Sequence, residues 1–185
     1  MITLDQLARG SQRKQEGATL DRPLEHLVAC HRRIEDRLAI LARAGNHLGQ
    51  NRIGALEAIV NSLAFFSTNV ARHNADEEHS FFPRLRERFP EEDLTLLGRL
   101  EGDHVVAEGL LTTLRSTAES IRNAGTDDDI SELQQTFLDI TAKLTELFLA
   151  HIAAEDEQLI ELASRALPQD ILLEISSEMK ARRGQ

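Results

Sequence analysis

The chain of 185 residues has no tryptophan and no tyrosine, a single cysteine, four prolines and ten glycines. With Cys30 alone no intrachain disulfide can form, which fits a reducing compartment. The scarcity of proline and glycine leaves long stretches free of helix breakers. No apolar run approaches the roughly 20 residues needed to span a bilayer. The N-terminal MITLDQLARGSQRKQEG lacks the apolar core of a secretory signal, so the expected location is the cytoplasm. Basic charge is also short: 21 Lys and Arg stand against 31 Asp and Glu, a net charge of −10. Such a surface repels phosphates, so neither nucleic acid nor an anionic membrane is an expected partner.

What remains is 41% hydrophobic and 28% charged, an ordinary globular composition rich in the helix formers Leu, Ala, Glu and Arg. Apolar spacing predicts four long helices, over about 23–46, 52–88, 91–123 and 130–166. Pro23 suits a first helical turn with Asp21 as its cap, Phe89-Pro90 and Gly125 end the second and third helices, and the stretch Thr126 to Asp129 caps the fourth. Pro83 should kink or break the second helix. A fifth, shorter helix follows Pro168 and reaches about Arg182. No strand-like alternation competes. Short connections favour antiparallel neighbours. The expected fold is all-α: an up-down-up-down antiparallel four-helix bundle over 20–166, preceded by a polar arm over 1–19 and followed by a short C-terminal helix packing on the bundle within 167–185.

Each long helix has one interruption in its apolar face. In the first, Leu24, Leu27, Ile34, Leu38 and Leu41 step by three and four, and the missing member of the series is His31. The second reads Ile59, Leu63, Phe66, Val70, then His73 and Glu77. The third reads Leu97, Leu100, His104, Ala107, Leu111, Leu114, and the fourth Phe137, Ile140, Leu144, Leu147, then His151 and Glu155. His26 is five residues from His31, about 140° round the helix, and His47 and His79 interrupt no such series. The histidines of the second, third and fourth helices stand at similar depths from their connecting turns, and that of the first is off by about one turn.

Four seam histidines on four helices need a reason to be buried. An imidazole without a partner costs on the order of 1–3 kcal/mol, and an unpaired carboxylate costs more or takes up a proton. A cation satisfies both kinds of group at once. His73 and Glu77, like His151 and Glu155, are separated by four residues, so each pair can reach one point beside its helix. A carboxylate has two oxygens and can bridge two cations. Mixed imidazole and carboxylate ligation suits non-haem iron, and manganese or zinc less distinctively. The candidate metal ligands are therefore His31, His73, Glu77, His104, His151 and Glu155. Glu108, beside the seam position Ala107, is a further candidate. The acidic residues Asp76 to Glu78 and Asp156-Glu157 read as a solvated face able to support the ligands from outside. The phenylalanines, Phe65, Phe66, Phe81, Phe82, Phe137 and Phe148 among them, read as core, and Cys30 as a packed small residue.

The run His73-Asn-Ala-Asp-Glu77-Glu78-His-Ser-Phe-Phe82-Pro83, its repeat His151-Ile-Ala-Ala-Glu155-Asp-Glu-Gln-Leu, and the motifs Cys30-His31-Arg-Arg-Ile34 and Leu100-Glu-Gly-Asp-His104 together resemble hemerythrin-like HHE cation-binding domains, over about 20–165. The resemblance implies a bundle holding two iron ions in an oxo- or hydroxo-bridged pair, with a small diatomic molecule or peroxide as ligand, in a monomer or homodimer. Oxygen-carrying hemerythrins have a second histidine where this chain has Glu108, and Asn74 also departs from many relatives. That favours reaction with or sensing of oxygen, nitric oxide or peroxide, or iron homeostasis and iron-centre repair, over simple oxygen storage. Two other classes stay open on the residues alone: a histidine-phosphotransfer bundle using His26 or His79, and a helical interaction module without a functional metal site.

Overall fold

The computed structural model describes residues 20–89, 95–125 and 128–184. The expected polar arm, the start of the third predicted helix and Thr126-Asp127 lie outside the described residues. Among those described, every regular element is helical. Helix α1 is Pro23–His47, α2 is Arg52–Arg86, α3 is Thr95–Asn123, α4 spans 131–166 and α5 is Gln169–Ala181. Helix α1 packs on α2 and α4, and α3 on α2 and α4. Contacts between neighbours run in opposite senses. His31 and Gly45 of α1 meet Glu155 and Phe137 of α4, while Ser67 and Glu78 of α2 meet Arg115 and His104 of α3.

The helix starts follow local chemistry, with one correction. Pro23 opens α1, where a missing N–H costs nothing, but Asp21 does not cap it. Arg22 occupies the cap position, and Asp21 instead pairs with Lys180 of α5. Asn51 caps α2 by accepting from the Gly54 N–H. Asp129 accepts from both the N–H and the hydroxyl of Ser131 at the start of α4, which holds its carboxyl below the ordinary range. Arg52 donates to the carbonyls of Ala124, Gly125 and Asp128, placing a cation at the negative end of α3.

Pro83 does not break α2. A wide π turn, Glu77–Phe81, precedes it, and the Phe82 N–H reaches back five residues to the Glu77 carbonyl. The proline then sits in the first turn of the resumed α-helix. Helix α4 has the same device at Glu155–Leu159, where the Ile160 N–H bonds the Glu155 carbonyl. A third π turn covers Phe66–Val70.

The apolar core is in two parts. One contains Ile34, Leu38, Ile59, Val70, Ala107, Leu114, Phe137 and Phe148. The other contains Leu27, Phe81, Phe82, Leu100, Leu159 and, from α5, Ile175 and Met179. In α4 the buried stripe passes through Phe148, with Leu147 only half-buried, so the expected seam is off by one there. Helix α2 also corrects the expectation that nothing is apolar enough to span a bilayer. Its mean hydropathy reaches 1.3 over an 18-residue window, enough by length and composition alone. Ala55, Ile59, Leu63, Phe66 and Val70 of that helix are buried in the bundle, while Ile53 and Val60 are exposed.

Two glycine substitutions test the packing between helices. A Cβ on Gly45 would lie 2.8 Å from Leu138 Cδ2 and 3.0 Å from the ring of Phe137, and Phe137 is fully buried. The overpacking cost of about 1–3 kcal/mol should exceed the helix-propensity gain of about 1 kcal/mol, so Gly45→Ala should lower stability. A Cβ on Gly109 meets nothing within 4 Å, and Gly109→Ala should raise stability by about 0.5–1 kcal/mol. Urea unfolding of the two variants checks both signs.

Candidate metal centre

Between the two parts of the core lies a polar layer. His31, His73, Glu77, His104, His151 and Glu155 are all buried, and all six converge. Ile34, Val70, Ala107 and Phe148 flank the layer on one side, and Leu27, Phe81, Leu100 and Leu159 on the other. Phe148 stands edge-on to His151, and Phe66 packs behind it. The seam position of each histidine thus becomes a buried ring facing a shared interior point.

The two carboxylates organise the cluster. Glu77 sets Oε1 3.1 Å from His73 Nε2 and Oε2 3.3 Å from His104 Nε2. Glu155 sets Oε1 3.1 Å from His151 Nε2 and Oε2 3.0 Å from His31 Nε2. Each glutamate therefore spans a histidine of its own helix, four residues earlier, and one from a neighbouring helix. Ligand atoms fall into two sets, each within 4.8 Å: His31, His73, Glu77 and Glu155 in one, and Glu77, His104, His151 and Glu155 in the other. The glutamates belong to both.

Nε2 of His31 and of His104, and all four oxygens of Glu77 and Glu155, are buried without a hydrogen-bond partner among the described residues. Their close approaches are not aligned hydrogen bonds. So many buried polar atoms without an aligned partner would be costly. The same atoms are the imidazole and carboxylate donors that a divalent cation takes. The donor set fits metal.

The outer nitrogens support this. His31 Nδ1 donates to Asp156 Oδ1 (2.7 Å), His104 Nδ1 to Glu78 Oε1 (2.6 Å) and His151 Nδ1 to Asp103 Oδ2 (3.3 Å). A carboxylate only accepts, so each contact keeps a proton on Nδ1 and aims the Nε2 lone pair inward. Arg32 in turn holds Asp156. His73 is the exception: its Nδ1 is buried without a partner among the described residues.

Burial opposes the charged forms of His31 and His151, but the adjacent Glu155 carboxylate outweighs it, and both imidazoles are raised above the ordinary value. Burial, reinforced by neighbouring His31, pushes His73 well down. Burial and the negative charge of Glu155 push Glu77 well up. Burial works against ionised Glu155 too, yet His151 and His31 hold it below the carboxylate range. Burial thus favours the neutral form of one carboxyl, Glu77, while the histidines beside Glu155 favour the ionised form of the other.

The structure brings together six of the seven expected ligands. Glu108 is corrected: it lies on the exposed side of α3 and pairs with Arg115 at 2.9 Å. One residue past the seam turns a side chain about 100°, which carries Glu108 out to solvent. The acidic stretch is corrected in part. Glu78 and Asp156 are half-buried against histidines of the cluster, and Asp76 is fully buried, bound to Arg182 and Arg183. Asp103 was missed; an acid one residue before a seam histidine was the available signal. Cys30 is buried, its sulfur accepting from Arg33 and its thiol pushed up by burial, outside the ligand sets. His79 is exposed and His26 half-buried, neither in the cluster. Glu101 pairs with Arg86 away from it.

A helical bundle whose core encloses an imidazole–carboxylate cluster able to hold metal is the class that fold and site define. Residues 22–163 match the hemerythrin HHE cation binding domain, and the chain belongs to that family. It is similar to an uncharacterised protein of Haemophilus influenzae, 32% identical over 177 residues that cover 91% of this chain and 94% of that protein.

The pH response of the cluster can be read from these shifts. Above pH 6.5, the ordinary histidine value, an unfolded chain has neutral imidazoles and ionised carboxyls. In the cation-free fold the Glu155 carboxylate holds His31 and His151 above that value, so these imidazoles keep protons that the unfolded chain has released. The fold therefore binds more protons, and its stability should fall as pH rises through those raised values. Cations displace the same protons, so their affinity should rise across that window. Unfolding of metal-free and metal-loaded protein at stepped pH checks this; metal-free stability that holds level or climbs above pH 6.5 contradicts it.

Proposed function

We propose that the protein is a hemerythrin-like non-haem di-iron protein that binds, senses or reacts with oxygen, nitric oxide or peroxide, or serves iron homeostasis and iron-centre repair. One observation carries the two-metal reading: each of Glu77 and Glu155 offers one oxygen beside each histidine pair. In this reading His31 and His73 would hold one cation and His104 and His151 the other, with Glu77 and Glu155 shared by both sets. Iron is favoured over manganese or zinc, which the same donors would also accept, by the mixed imidazole–carboxylate set and by the family. When bound, the pair supplies a redox couple and coordination positions open to a small ligand.

The chain's own residues do the rest. Two carboxylates leave two divalent ions with net positive charge, which Glu78, Asp103 and Asp156 offset from outside. The apolar residues above and below the layer exclude water. Four protein atoms per cation are fewer than the about six positions iron commonly fills, which leaves room for an exogenous ligand. The cytoplasm, where Cys30 stays reduced, is the setting this reading assigns.

The ligand sets predict how metal is lost. Protein from iron-replete medium should carry two iron ions per chain. His73→Ala and His151→Ala should each lose one, and Glu155→Ala, which removes a shared ligand, should lose both. Elemental analysis alongside absorption spectra, with and without oxygen, reads this out. Full iron content in both histidine variants would sink the assignment. A spectrum indifferent to oxygen, nitric oxide and peroxide would leave only the iron-homeostasis branch.

A further inference from the structure

Helix α5 lies beyond the family-matched residues, which end at 163, yet it reaches the helix carrying His73 and Glu77. It packs on the Ala71–Asp76 and Glu77–Phe81 segments and on α1. Its Ile175 and Met179 are fully buried in the core beneath the cluster. The chain just past it, Arg182 and Arg183, grips Asp76. Oδ1 accepts from Arg182 Nη1 at 2.9 Å and from Arg183 Nη1 at 3.2 Å, and Oδ2 from Arg183 Nη2 at 2.7 Å. Asp76 is fully buried and stands between His73 and Glu77 in sequence. Arg182 also donates to the Ser80 hydroxyl, which donates to Glu178 of α5, while Arg84 donates to Glu178 at 2.8 Å. Helix α5 thus holds α2 at Asp76 and again at Ser80, on either side of Glu77.

Glu77 opens a π turn. Such a turn has wider hydrogen bonds and a shifted register, so its orientation depends more on what grips it from outside. Bidentate guanidinium contacts to a buried carboxylate are geometrically demanding and strongly orienting. The π turn of α4 is held differently, through Asp156 to Arg32 and His31 of α1.

Resting on the two-cation reading above, we propose that α5 is an energetically coupled part of the metal centre: its clamp on Asp76 positions Glu77 for bridging. Asp76 is then a positioning residue, acting through Glu77. Thermodynamic coupling is reciprocal. If the clamp strengthens cation binding, cation binding must strengthen docking of α5.

The test uses Mn(II) as probe on the full chain. In unmodified protein, saturating Mn(II) should slow amide hydrogen exchange over 169–184 several-fold, and this measurement needs no variant to fold. Asp76→Asn should lower Mn(II) affinity about tenfold and weaken the paramagnetic resonance signal of the coupled Mn(II) pair. Leu114→Ala, a cavity variant in the other part of the core, loses stability yet should keep both affinity and signal. Wild-type affinity in Asp76→Asn, exchange over 169–184 indifferent to Mn(II), or an equal affinity loss in Leu114→Ala overturns the proposal. Unmodified protein that binds neither Mn(II) nor Fe(II) overturns the two-cation reading itself, and this inference with it.

Discussion

Four imidazoles and two carboxylates cross the middle of an apolar core, and the rest of the molecule is arranged around tolerating them. A polar layer of this kind splits the core into two packed regions, each of which must exclude water from its own side. The helices are long because they must span both regions. Buried charge in this setting is stabilising only when matched within a few ångström. Here the matching comes in shells: imidazole nitrogens against carboxylate oxygens inside, then acidic partners on the outer nitrogens, then Arg32 on Asp156. Without cations, burial favours the neutral form of Glu77, and the Glu155 carboxylate favours the charged forms of His31 and His151.

A short sequence device builds much of this. Glu77-Glu78 and Glu155-Asp156 are consecutive acids at the head of π turns. The first of each pair faces the cavity, and the second reaches the Nδ1 of a histidine on another helix. An α-helix turns successive side chains about 100° apart, so one residue can serve the cluster from within and the next from its flank. Two residues thereby tie two helices to one centre, twice over. The outer carboxylates sit partly exposed, where water shares their cost, while the inner ones are sealed.

Much of this was legible in the sequence because apolar periodicity reports which face is buried, and a histidine in a gap of that pattern has few other places to go. Hence His31, His73, His104 and His151 could be placed before any coordinates, with Glu77 and Glu155 following from helical spacing. Legibility failed where periodicity is indifferent. Leu147 and Phe148 both fit a step of three or four from Leu144, and only packing chose the phenylalanine. Glu108 beside Ala107 looked near the seam, but one residue of rotation puts it with Arg115 on the outside. Asp76 looked solvated because its partners, Arg182 and Arg183, lie more than a hundred residues away, and no local pattern announces them. Asp103 acts across to α4 for the same non-local reason.

The outer contacts are not evenly shared. In one ligand set both histidines have an acidic partner, Glu78 on His104 and Asp103 on His151. In the other, among the described residues, only His31 does, through Asp156, while His73 Nδ1 is buried without one. A carboxylate on Nδ1 makes an imidazole a stronger donor and fixes its tautomer. His73, lacking that support and pushed well toward its neutral form, is the least supported imidazole of the four. On the two-cation reading the positions are therefore unequal. The His104–His151 set has the fuller outer support and the His31–His73 set the thinner. His73 stands on the segment of α2 that α5 packs against, so the C-terminal helix braces from outside the stretch that carries the least supported imidazole.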